Sequence, residues 1–322
     1  HPDETTQRLK SFAHHWRDIS TLDENEICGT IQTDKIDILV DLAGHSANNC
    51  LNIFRAKTAP LQVAWLGYPA TTGLFEMDYR FTDAVADPLG KSDQHHTESL
   101  IRLPDGFLCY SAPPSEAGIL PPPNGINGYV TFGSFNNLSK VSPKVIETWA
   151  GILQAIPDSR LLLKGRILDV PQARENILNS FDSWNIERQR IKLAGWIPQD
   201  QMPMGLYQQV DIALDTFPYN GTTTTFEALW MGVPVVTIRG ERHAGRVGTS
   251  ILSTLELNDL VAESVTDYQK HAIELARSPE RLKYYRETLR KLLGSSPLMD
   301  GPAFARKLEA AFRKIWHQWC LT

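Results

Sequence analysis

The sequence is poor in cysteine and has no surplus of positive charge. Its 322 residues contain four cysteines, too few for a disulfide scaffold and without the close spacing of a zinc site. The formal net charge is −5, whereas a general nucleic-acid binder needs a basic surface. These shortages argue against disulfide-rich secreted proteins, zinc-binding proteins and general nucleic-acid binders. They indicate a reducing compartment, and we expect the cytoplasm.

Long apolar runs are also missing. No run approaches the ~18 residues of a membrane helix, and no signal peptide is visible. We therefore expect no membrane partner. The sequence begins with His1 rather than Met, and we expect further protein to precede it.

Several signature motifs are absent. There is no Gly-x-Gly-x-x-Gly, P-loop or Gly-x-Ser-x-Gly motif, which argues against dehydrogenases, nucleoside triphosphatases and hydrolases of those types. There is no Asp-x-Asp motif either, so a diphosphate held through a metal by that motif is not expected. The histidine pairs at 14–15 and 95–96 are adjacent in sequence, and adjacent side chains point apart on a helix or strand. We therefore predict no metal site.

The chain does contain a repeated alternation of strands and helices. In its first part, residues 1–33 look helical, with Leu9, Phe12 and Trp16 on one face, and residues 48–56 predict a short helix. Only about four strands are expected here, so this part resembles the later half of a Rossmann-like unit whose beginning is truncated. The predicted strands are 36–42, 61–66, 79–82 and 99–103.

The second part alternates more regularly. Five apolar runs, each followed by a helical pattern, predict a complete Rossmann-type unit with a parallel sheet. The predicted strands are 129–134, 160–164, 190–194, 210–214 and 233–238. Besides a helix that begins at the threonines of 222–225, the predicted helices are 143–155, 171–182, 200–208, 243–252, 266–277, 280–293 and 302–319.

A segment rich in proline and glycine separates the two parts. Residues 111–128 contain five prolines and three glycines, which predicts a linker between domains. The alternative is a long surface loop within one domain, although loops of this length are uncommon in compact domains. The predicted division is a first domain at 1–112, a linker at 113–128, a second domain at 129–300 and a C-terminal helix at 301–322.

The stretch DTFPYNGTTTTFEALW at 215–230 is the strongest candidate for a binding site. A predicted strand runs into a turn, and four threonines then open a helix. Hydroxyls and free N–H groups at a helix start bind anions, most often phosphate. Glu227, one turn further on, is placed to accept hydrogen bonds from a sugar. The alternative is that the threonines only cap the helix.

Polar and glycine residues gather at other strand ends as well. Because ligands of open α/β sheets bind at the carboxyl ends of strands, these are candidate site residues. Lys140 can reach a diphosphate, and His45 can act as a base or bind a sugar hydroxyl. Trp196 and Ile197 offer a platform for a flat base. The alternatives are a solvated lysine, a structural hydrogen bond for the histidine, and core packing for the tryptophan.

Five segments of the chain are recognisable together. They are DILVDLAGHS (37–46), APLQVAWLGYP (59–69), FNNLSK (135–140), DTFPYNGTTTT (215–225) and EALWMGVPVVT (227–237). In this order they closely resemble the catalytic region of the O-linked N-acetylglucosamine (GlcNAc) transferase family, glycosyltransferase family 41, in its bacterial form. The resemblance covers essentially the whole chain.

The resemblance implies a fold and an activity. The fold is GT-B: two Rossmann-like domains with the active site in the cleft between them, and a last helix that crosses back. The activity is an inverting transfer of GlcNAc from UDP-GlcNAc to Ser/Thr hydroxyls of proteins, with no metal or other cofactor. Family members usually carry tetratricopeptide repeats upstream, which select protein acceptors. Such repeats, and the missing N-terminal half, are expected partners in the same or another chain.

The resemblance also assigns roles to residues. Lys140 matches the lysine that neutralises the leaving diphosphate, and Thr223 and Thr224 match the pair that holds its β-phosphate. Glu227 stands where the family has an acidic ribose ligand. His45 is the candidate acid–base group, with the nucleotide's own phosphate as its rival. The other predicted donor-binding residues are Asn136, Asn137, Gly195, Trp196, Ile197, Asn220, Gly221 and Thr222, and the predicted sugar pocket consists of Gly67, Tyr68 and Pro69.

Two departures from the family pattern leave the donor open. Thr222 stands where many members have a histidine, and residues 201–203 lack a histidine that would stack on uracil. One alternative is the same fold with another reaction, either O-fucosyl transfer from GDP-fucose or glucosyl transfer from UDP-glucose to Asn. The others are a non-catalytic UDP-sugar-binding module and a structural subunit completed by a separate N-terminal chain.

Overall fold

The computed structural model describes residues 3–113, 118–197 and 203–321. Within these residues the strands form two sheets, one of four strands and one of six. Every strand pair in both sheets is parallel. The α/β class predicted from the alternation of strands and helices is confirmed.

The first sheet follows the order of the chain. Helix α2 (Glu24–Thr33) precedes it, and helix α3 (Leu51–Arg55) connects its first two strands. This connecting helix is shorter than predicted because Asn48 has a positive φ of 58° and helical geometry starts after it. The four predicted strands are present as β1 (Ile38–Asp41), β2 (Leu61–Ala64), β3 (Tyr79–Thr82) and β4 (Ser99–Arg102).

The N-terminal residues depart from the prediction of a helical segment with one apolar face. Helix α1 (Glu4–Phe12) ends well before α2 starts, and Trp16 lies between them outside any helix. The start of α2 is set by a capping box at Asp23. Leu9, Phe12 and Trp16 are all exposed, Phe12 by 75%. They therefore form no buried helix face in the described part of the chain.

The second sheet has the order β10-β9-β8-β5-β6-β7. Read from the opposite edge, this is the 3-2-1-4-5-6 order of dinucleotide-binding folds. The five predicted strands are present, and a sixth, only two residues long, was not predicted. The strands are β5 (Thr131–Ser134), β6 (Arg160–Lys164), β7 (Ile191–Ala194), β8 (Ile212–Leu214), β9 (Val235–Ile238) and β10 (Val261–Ala262).

Helices connect these strands much as predicted. The prediction at 243–252 was wrong in one respect, because a 3-10 turn (His243–Gly245) precedes the α-helix there. The segment predicted at 200–208 is a 3-10 helix (Pro203–Gln209), and its first residues lie outside the described residues, as does 114–117 of the predicted linker. The α-helices are α4 (Asn124–Asn127, within that linker), α5 (Pro143–Ala155), α6 (Pro171–Asp182), α7 (Thr223–Trp230), α8 (Val247–Thr254), α9 (Val265–Ala276), α10 (Pro279–Gly294) and α11 (Gly301–Cys320).

The strand order places two loops side by side. The chain leaves β5 towards one edge of the sheet and returns to β8, on the other side of β5, so the order reverses between these neighbours. In open α/β sheets a crevice forms at this point, outside the carboxyl ends of the strands. The loops that open there are 135–142 after β5 and 215–222 after β8.

The last helix packs on the first sheet although it follows the second one in sequence. Phe304 and Ile315 of α11 are buried in one apolar cluster with Leu61, Val63 and Phe81. Helix α11 therefore ties the two sheets together. No helix in the described ranges is long and apolar enough to cross a membrane.

The carboxyl edges of the two sheets face each other. Asp87, in the loop after β3, accepts a 2.6 Å hydrogen bond from Nδ1 of His243, in the loop after β9. Nearby, Ser250 Oγ donates to Asp83 Oδ2 at 2.6 Å and Arg246 Nε donates to the Val85 carbonyl at 2.7 Å. Burial lowers the pKa of His243, so it is a neutral imidazole that donates the hydrogen bond to the Asp87 carboxylate. The cleft between the sheets is thus bounded by strand ends from both.

Candidate active site

A buried carboxylate organises the loop after β8. Asp215 directly follows the strand and is only 2% exposed. Its Oδ1 accepts hydrogen bonds from the backbone N–H groups of Thr216 (2.9 Å) and Gly221 (2.7 Å) and from Asn136 Nδ2 (3.3 Å), and its Oδ2 accepts from Thr237 Oγ1 (2.7 Å). Burial raises the pKa of Asp215 to about 6 against these hydrogen bonds. Residues 216–221 therefore wrap around one carboxylate.

The threonines that follow do more than cap a helix. Thr222 is the N-cap residue of α7, but its side chain makes no capping hydrogen bond. Thr224 Oγ1 donates to Asn136 Oδ1 at 2.9 Å, whereas the hydroxyl of the exposed Thr223 contacts no partner among the described residues. The hydroxyls of Thr222 and Thr223 and the free N–H groups of the first turn of α7 are therefore available to an anion. The Thr224 hydroxyl, which was predicted to hold the β-phosphate together with that of Thr223, is instead bonded to Asn136.

Lys140 reaches this same turn from the loop after β5. It ends a 3-10 turn that Asn137 caps through the Ser139 N–H. Lys140 Nζ donates to the Asn220 carbonyl at 2.8 Å and lies 3.6 Å from the centre of the Tyr219 ring. Burial lowers the pKa of Lys140, and the Asp215 carboxylate opposes this shift. The structure thus joins the predicted lysine to the predicted anion site.

Two of the predicted donor-binding asparagines use their side chains inside the fold. Asn220 is fully buried, and its amide bonds the Thr216 carbonyl (2.9 Å) and the Gly248 N–H (3.2 Å). The Asn136 amide is engaged between Asp215 and Thr224, as described above. These residues shape the turn, while Asn137 is exposed beside it.

A cleft of about 770 Å³ opens at the ends of β5, β6 and β7. Four of the predicted donor-binding residues line it: Asn136, Asn137, Gly195 and Trp196. Its other lining residues, none of them predicted, are Phe135, Leu138, Lys164, Gly165, Arg166, Ile167, Asp169 and Val170. The cleft therefore carries cationic, anionic and aromatic side chains within one volume.

The far wall of this cleft is built on Asp169. Its carboxylate accepts from the Trp196 N–H at 3.1 Å, and a Cβ atom at Gly195 would lie 1.8 Å from Asp169 Oδ1. Any larger residue before the tryptophan would therefore displace the Asp169 carboxylate from its hydrogen bond to Trp196. Trp196 is 61% exposed, so it is not packed in the core, and the Arg166 guanidinium lies over its ring at 5.6 Å from the ring centre. Ile197 follows as a half-buried residue.

Glu227 lies deeper in the same region. It is half-buried and accepts a 3.1 Å hydrogen bond from the hydroxyl of Tyr207. Burial raises the pKa of Glu227, and the nearby Lys164, which lines the cleft, opposes this shift. The carboxylate that the sequence proposes for a ribose is thus close to the cleft.

On the other side, the loops after β1 and β2 pack against each other. Gly44 has a positive φ of 54°, and a Cβ atom there would lie 2.2 Å from the Tyr68 Cβ. A Cβ atom at Gly67 would lie 1.8 Å from the Leu42 carbonyl oxygen. Two glycines therefore allow the predicted sugar-pocket residues Gly67 to Pro69 to sit directly on the loop of His45.

His45 is exposed and held in one orientation. Its Nε2 lies 2.7 Å from the Thr72 carbonyl oxygen, so Nε2 carries the proton and donates, and Nδ1 is the proton-accepting atom. The ring also makes an edge contact with Tyr68 at 5.2 Å between centres. A structural hydrogen bond and an acid–base role are therefore compatible in this residue.

Two tyrosines contact the predicted catalytic residues, one on each side of the cleft. Tyr68 contacts His45, and Tyr219 lies under Lys140. Burial, and next the neighbouring Tyr68, raise the pKa of Tyr219. Each of the two predicted catalytic residues therefore has a tyrosine ring against it.

Sequence reasoning missed several of these residues. Lys164 is the last residue of a correctly predicted strand and Arg166 lies two residues after it, so inspecting the end of that strand as the others were inspected would have found them. Asp215 was part of the highlighted stretch but was given no role, although an acidic residue at the end of an apolar strand is a signal. Asp169 lies in a 3-10 turn (Arg166–Asp169) and has no signal of its own.

Comparisons with known proteins agree with this geometry. A sequence model described as glycosyl transferase family 41 matches residues 2–111 and 124–308. A probable UDP-N-acetylglucosamine–peptide N-acetylglucosaminyltransferase SPINDLY from Eustoma exaltatum subsp. russellianum is 47% identical over 305 residues, which is 95% of this chain and 33% of that protein. The corresponding protein SEC from Arabidopsis thaliana is 30% identical over 327 residues, 98% of this chain and 33% of that protein.

A solved structure is similar over the whole chain. A mutant of the Thermobaculum terrenum O-GlcNAc transferase superposes with a TM-score of 0.94 at 37% identity, covering 100% of this chain and 61% of that one. This similarity confirms the predicted GT-B fold. The chain spans about a third of the length of the curated relatives that it matches.

Proposed function

The chain belongs to glycosyl transferase family 41, and we propose that it is the catalytic region of an enzyme that moves GlcNAc from UDP-GlcNAc to Ser/Thr hydroxyls of proteins. The observation that carries the proposal is the position of Lys140, whose Nζ is 2.8 Å from a carbonyl of the turn that opens α7. A cation and a helix N-terminus converge there on one small volume. Such a pair fits a diphosphate.

The same pair supplies the chemistry of the transfer. When a sugar leaves UDP for a hydroxyl, negative charge develops on the departing diphosphate. Groups fixed in advance at that place stabilise the transition state more than the ground state. Lys140 and the first turn of α7 are fixed by Asp215 and its neighbours before any donor binds. We therefore propose a metal-independent reaction.

The cleft at the ends of β5 to β7 accounts for the rest of the nucleotide. In the proposal, Trp196 stacks on the base and Glu227 accepts hydrogen bonds from the ribose. Asn137 lies at the edge of the cleft between base and diphosphate. The exposed ring of Trp196 and the half-buried carboxylate of Glu227 suit these roles, since one offers a flat apolar face and the other a strong acceptor.

The acceptor enters from the side of the first sheet. In the proposal, His45 takes the acceptor proton at Nδ1, because Nε2 is already bonded to Thr72. The nucleotide's own phosphate is the rival base. The acceptor attacks the face of the sugar opposite the leaving group, so the anomeric configuration inverts. The proposal also includes upstream repeats that select acceptors and a cytoplasmic location.

Donor binding tests the choice of nucleotide sugar. We expect calorimetric titration with UDP-GlcNAc, GDP-fucose and UDP-glucose to give the lowest Kd for UDP-GlcNAc. Tighter binding of GDP-fucose or UDP-glucose would instead favour the fucosyl or glucosyl alternatives and would refute the donor assignment.

Turnover tests the reaction itself. We expect transfer of labelled GlcNAc to a protein acceptor to proceed unchanged in excess EDTA. The label should be found on Ser/Thr side chains, and NMR should show that the anomeric configuration of the product is inverted relative to that of the donor. Loss of turnover with EDTA would refute the metal-independent reaction. Donor binding without any turnover would favour a non-catalytic module or a subunit that needs a further chain.

A further inference from the structure

Two buried charges of opposite sign hold one loop of the first sheet. The 68–72 loop follows β2 and carries the end of the predicted sugar pocket. Arg80 reaches it from inside β3 with 2% exposure, and Glu98 reaches it from the start of β4 with 3% exposure. Neither residue touches the chemistry proposed above. Charged side chains are almost never buried to this degree unless they are paired or fully hydrogen-bonded.

Arg80 holds the first half of the loop. Its Nη2 donates to the Tyr68 carbonyl at 2.6 Å and its Nη1 donates to the Ala70 carbonyl at 2.7 Å. The planar guanidinium therefore fixes the spacing of two carbonyls two residues apart. Its buried Nε finds no acceptor among the described residues. Burial lowers the pKa of Arg80, and the carboxylates of Asp87, Glu98 and Asp41 oppose this shift. Its side-chain hydrogen bonds nevertheless go to carbonyls of this loop.

Glu98 holds the second half. One carboxylate oxygen accepts from both the N–H (2.6 Å) and the hydroxyl (2.5 Å) of Thr72, and the other accepts from the hydroxyl of Thr71 at 2.7 Å. The peptide of Thr72 is thus gripped on its N–H side and by its side chain. Its carbonyl is the group that accepts the 2.7 Å hydrogen bond from His45 Nε2.

We propose that Arg80 and Glu98 are positioning residues, which clamp the 68–72 loop so that His45 keeps its proton on Nε2 and Tyr68 stays against its ring. The proposal rests on the proposed acid–base role of His45. A neutral imidazole has two tautomers, and only the one with Nε2 protonated offers Nδ1 as a base. The Thr72 carbonyl selects that tautomer only while its direction is fixed, and Glu98 fixes it directly.

The test compares three variants of similar size. Arg80→Met removes the fork but keeps an unbranched side chain, and Glu98→Gln keeps the shape of the carboxylate but weakens its hydrogen bonds. Arg102→Met is the matched control, because Arg102 is a partly buried arginine of the same sheet that binds the Asp87 carbonyl and the Asp93 carboxylate instead of the loop. Arg80→Lys serves if Arg80→Met does not fold.

The readouts are kcat, the Kd of UDP, and the ¹⁵N NMR shifts of the His45 ring, identified by their loss in His45→Gln. We expect both loop variants to lower kcat by roughly 10-fold or more while the Kd of UDP changes by less than about 2-fold, since the nucleotide is proposed to bind to the other sheet. We also expect His45 to change from one Nε2-protonated tautomer to a mixture. Arg102→Met should change none of these quantities.

The outcomes separate the clamp from the proposed function. An unchanged His45 tautomer in both variants, or a loss of UDP affinity in parallel with kcat, would overturn the positioning role. A shift of the tautomer with unchanged kcat would overturn the catalytic consequence. If His45→Gln retains full turnover while Arg80→Met shifts the tautomer, the clamp stands and the acid–base role of His45 fails.

Discussion

Replacing Lys140 with methionine is the sharpest perturbation of the proposed site. The change keeps most of the length of the side chain and removes the ammonium group, which is the group that contacts the Tyr219 ring. One hydrogen bond is also lost inside the protein, the 2.8 Å bond to the Asn220 carbonyl. The free energy of unfolding should therefore fall by only about 1–2 kcal/mol, the typical net value of one hydrogen bond together with one cation–π contact.

The effect on catalysis should be much larger. A unit charge ~4 Å from a phosphate oxygen is worth ~4 kcal/mol at the effective dielectric constant of a partly enclosed site. Part of this energy is already present when the charged donor binds, and the remainder appears as the diphosphate leaves. Removal of one group that stabilises developing charge typically lowers kcat by ~10²- to 10³-fold. We expect that loss for Lys140→Met, with a smaller weakening of donor binding.

The assay is single-turnover transfer of labelled GlcNAc at saturating donor, together with the Kd of UDP and a thermal unfolding curve. Lys144→Met is the matched control, because Lys144 lies one turn further on α5, exposed and paired with Glu147 at 2.9 Å. The control should transfer at the wild-type rate. A folded Lys140→Met enzyme whose rate stays within about 3-fold of wild type would refute the role of this lysine and the charge argument behind it.

Four further outcomes are expected. In Gly221→Ala a Cβ atom would lie 2.5 Å from a threonine hydroxyl of the turn, so the UDP Kd should rise by roughly 10-fold or more. The control Gly29→Ala, with no atom within 4 Å of its Cβ, should bind UDP like wild type, and equal Kd values for the two variants would contradict the geometry. Trp196→Ala should weaken UDP binding by about 3- to 10-fold without changing the unfolding midpoint, as expected for loss of one exposed stacking face, and unchanged affinity by calorimetry would dismiss the platform. Burial raises the pKa of Asp211 to about 6, so its contribution to stability is fully present below about pH 4 and is lost as the pH rises through 6. Urea unfolding should show that the wild type loses on the order of 3 kcal/mol relative to Asp211→Asn over that window, and a difference in unfolding free energy that does not change with pH would be the contrary result. Because the pKa of Asp215 is already about 6, an incoming diphosphate should raise it further, so UDP binding near neutral pH should take up protons and tighten as the pH falls. Calorimetry in buffers of different ionisation enthalpy measures this proton uptake, and binding enthalpies that do not depend on the buffer would rule it out.

Much of the fold follows from local signals that tertiary packing does not override. Helix α5 runs over Pro143–Ala155, as predicted, because Ser142 caps it and proline suits its first position. All the strands except β10 were predicted, because the strands of parallel sheets are short apolar runs. Lys140 and the threonine turn were predicted together because parallel strands bring their carboxyl ends to one edge. That rule needs strand positions only, not side-chain geometry.

Other features depend on contacts that no local pattern encodes. Strand β10 has two residues, too few for any periodicity, and exists because Val261 and Ala262 pair with β9. The apolar face predicted for residues 1–33 fails because Asp23 starts a separate helix, and no part of the described chain covers Phe12. Similarly, the sequence cannot distinguish an asparagine that binds a ligand from one that is consumed by the fold. Asn220 was predicted to bind the donor, but its side-chain amide is hydrogen-bonded within the fold, to the Thr216 carbonyl and to the Gly248 N–H.

Charged residues inside short strands carry a signal that hydrophobic periodicity discards. The run YRFT at 79–82 predicts a strand whether its second residue is arginine or leucine. An apolar side chain would serve the interior of β3 as well and would avoid the desolvation of a guanidinium. An arginine inside β3 therefore indicates nearby groups that require a fixed hydrogen-bond donor. Here these groups are the carbonyls of Tyr68 and Ala70. The same reasoning applies to Asp215, an acid buried at the end of an apolar strand whose four hydrogen bonds shape the turn before α7. In both cases the buried charge acts on a loop at a strand end, and the loop in turn places the groups proposed for catalysis.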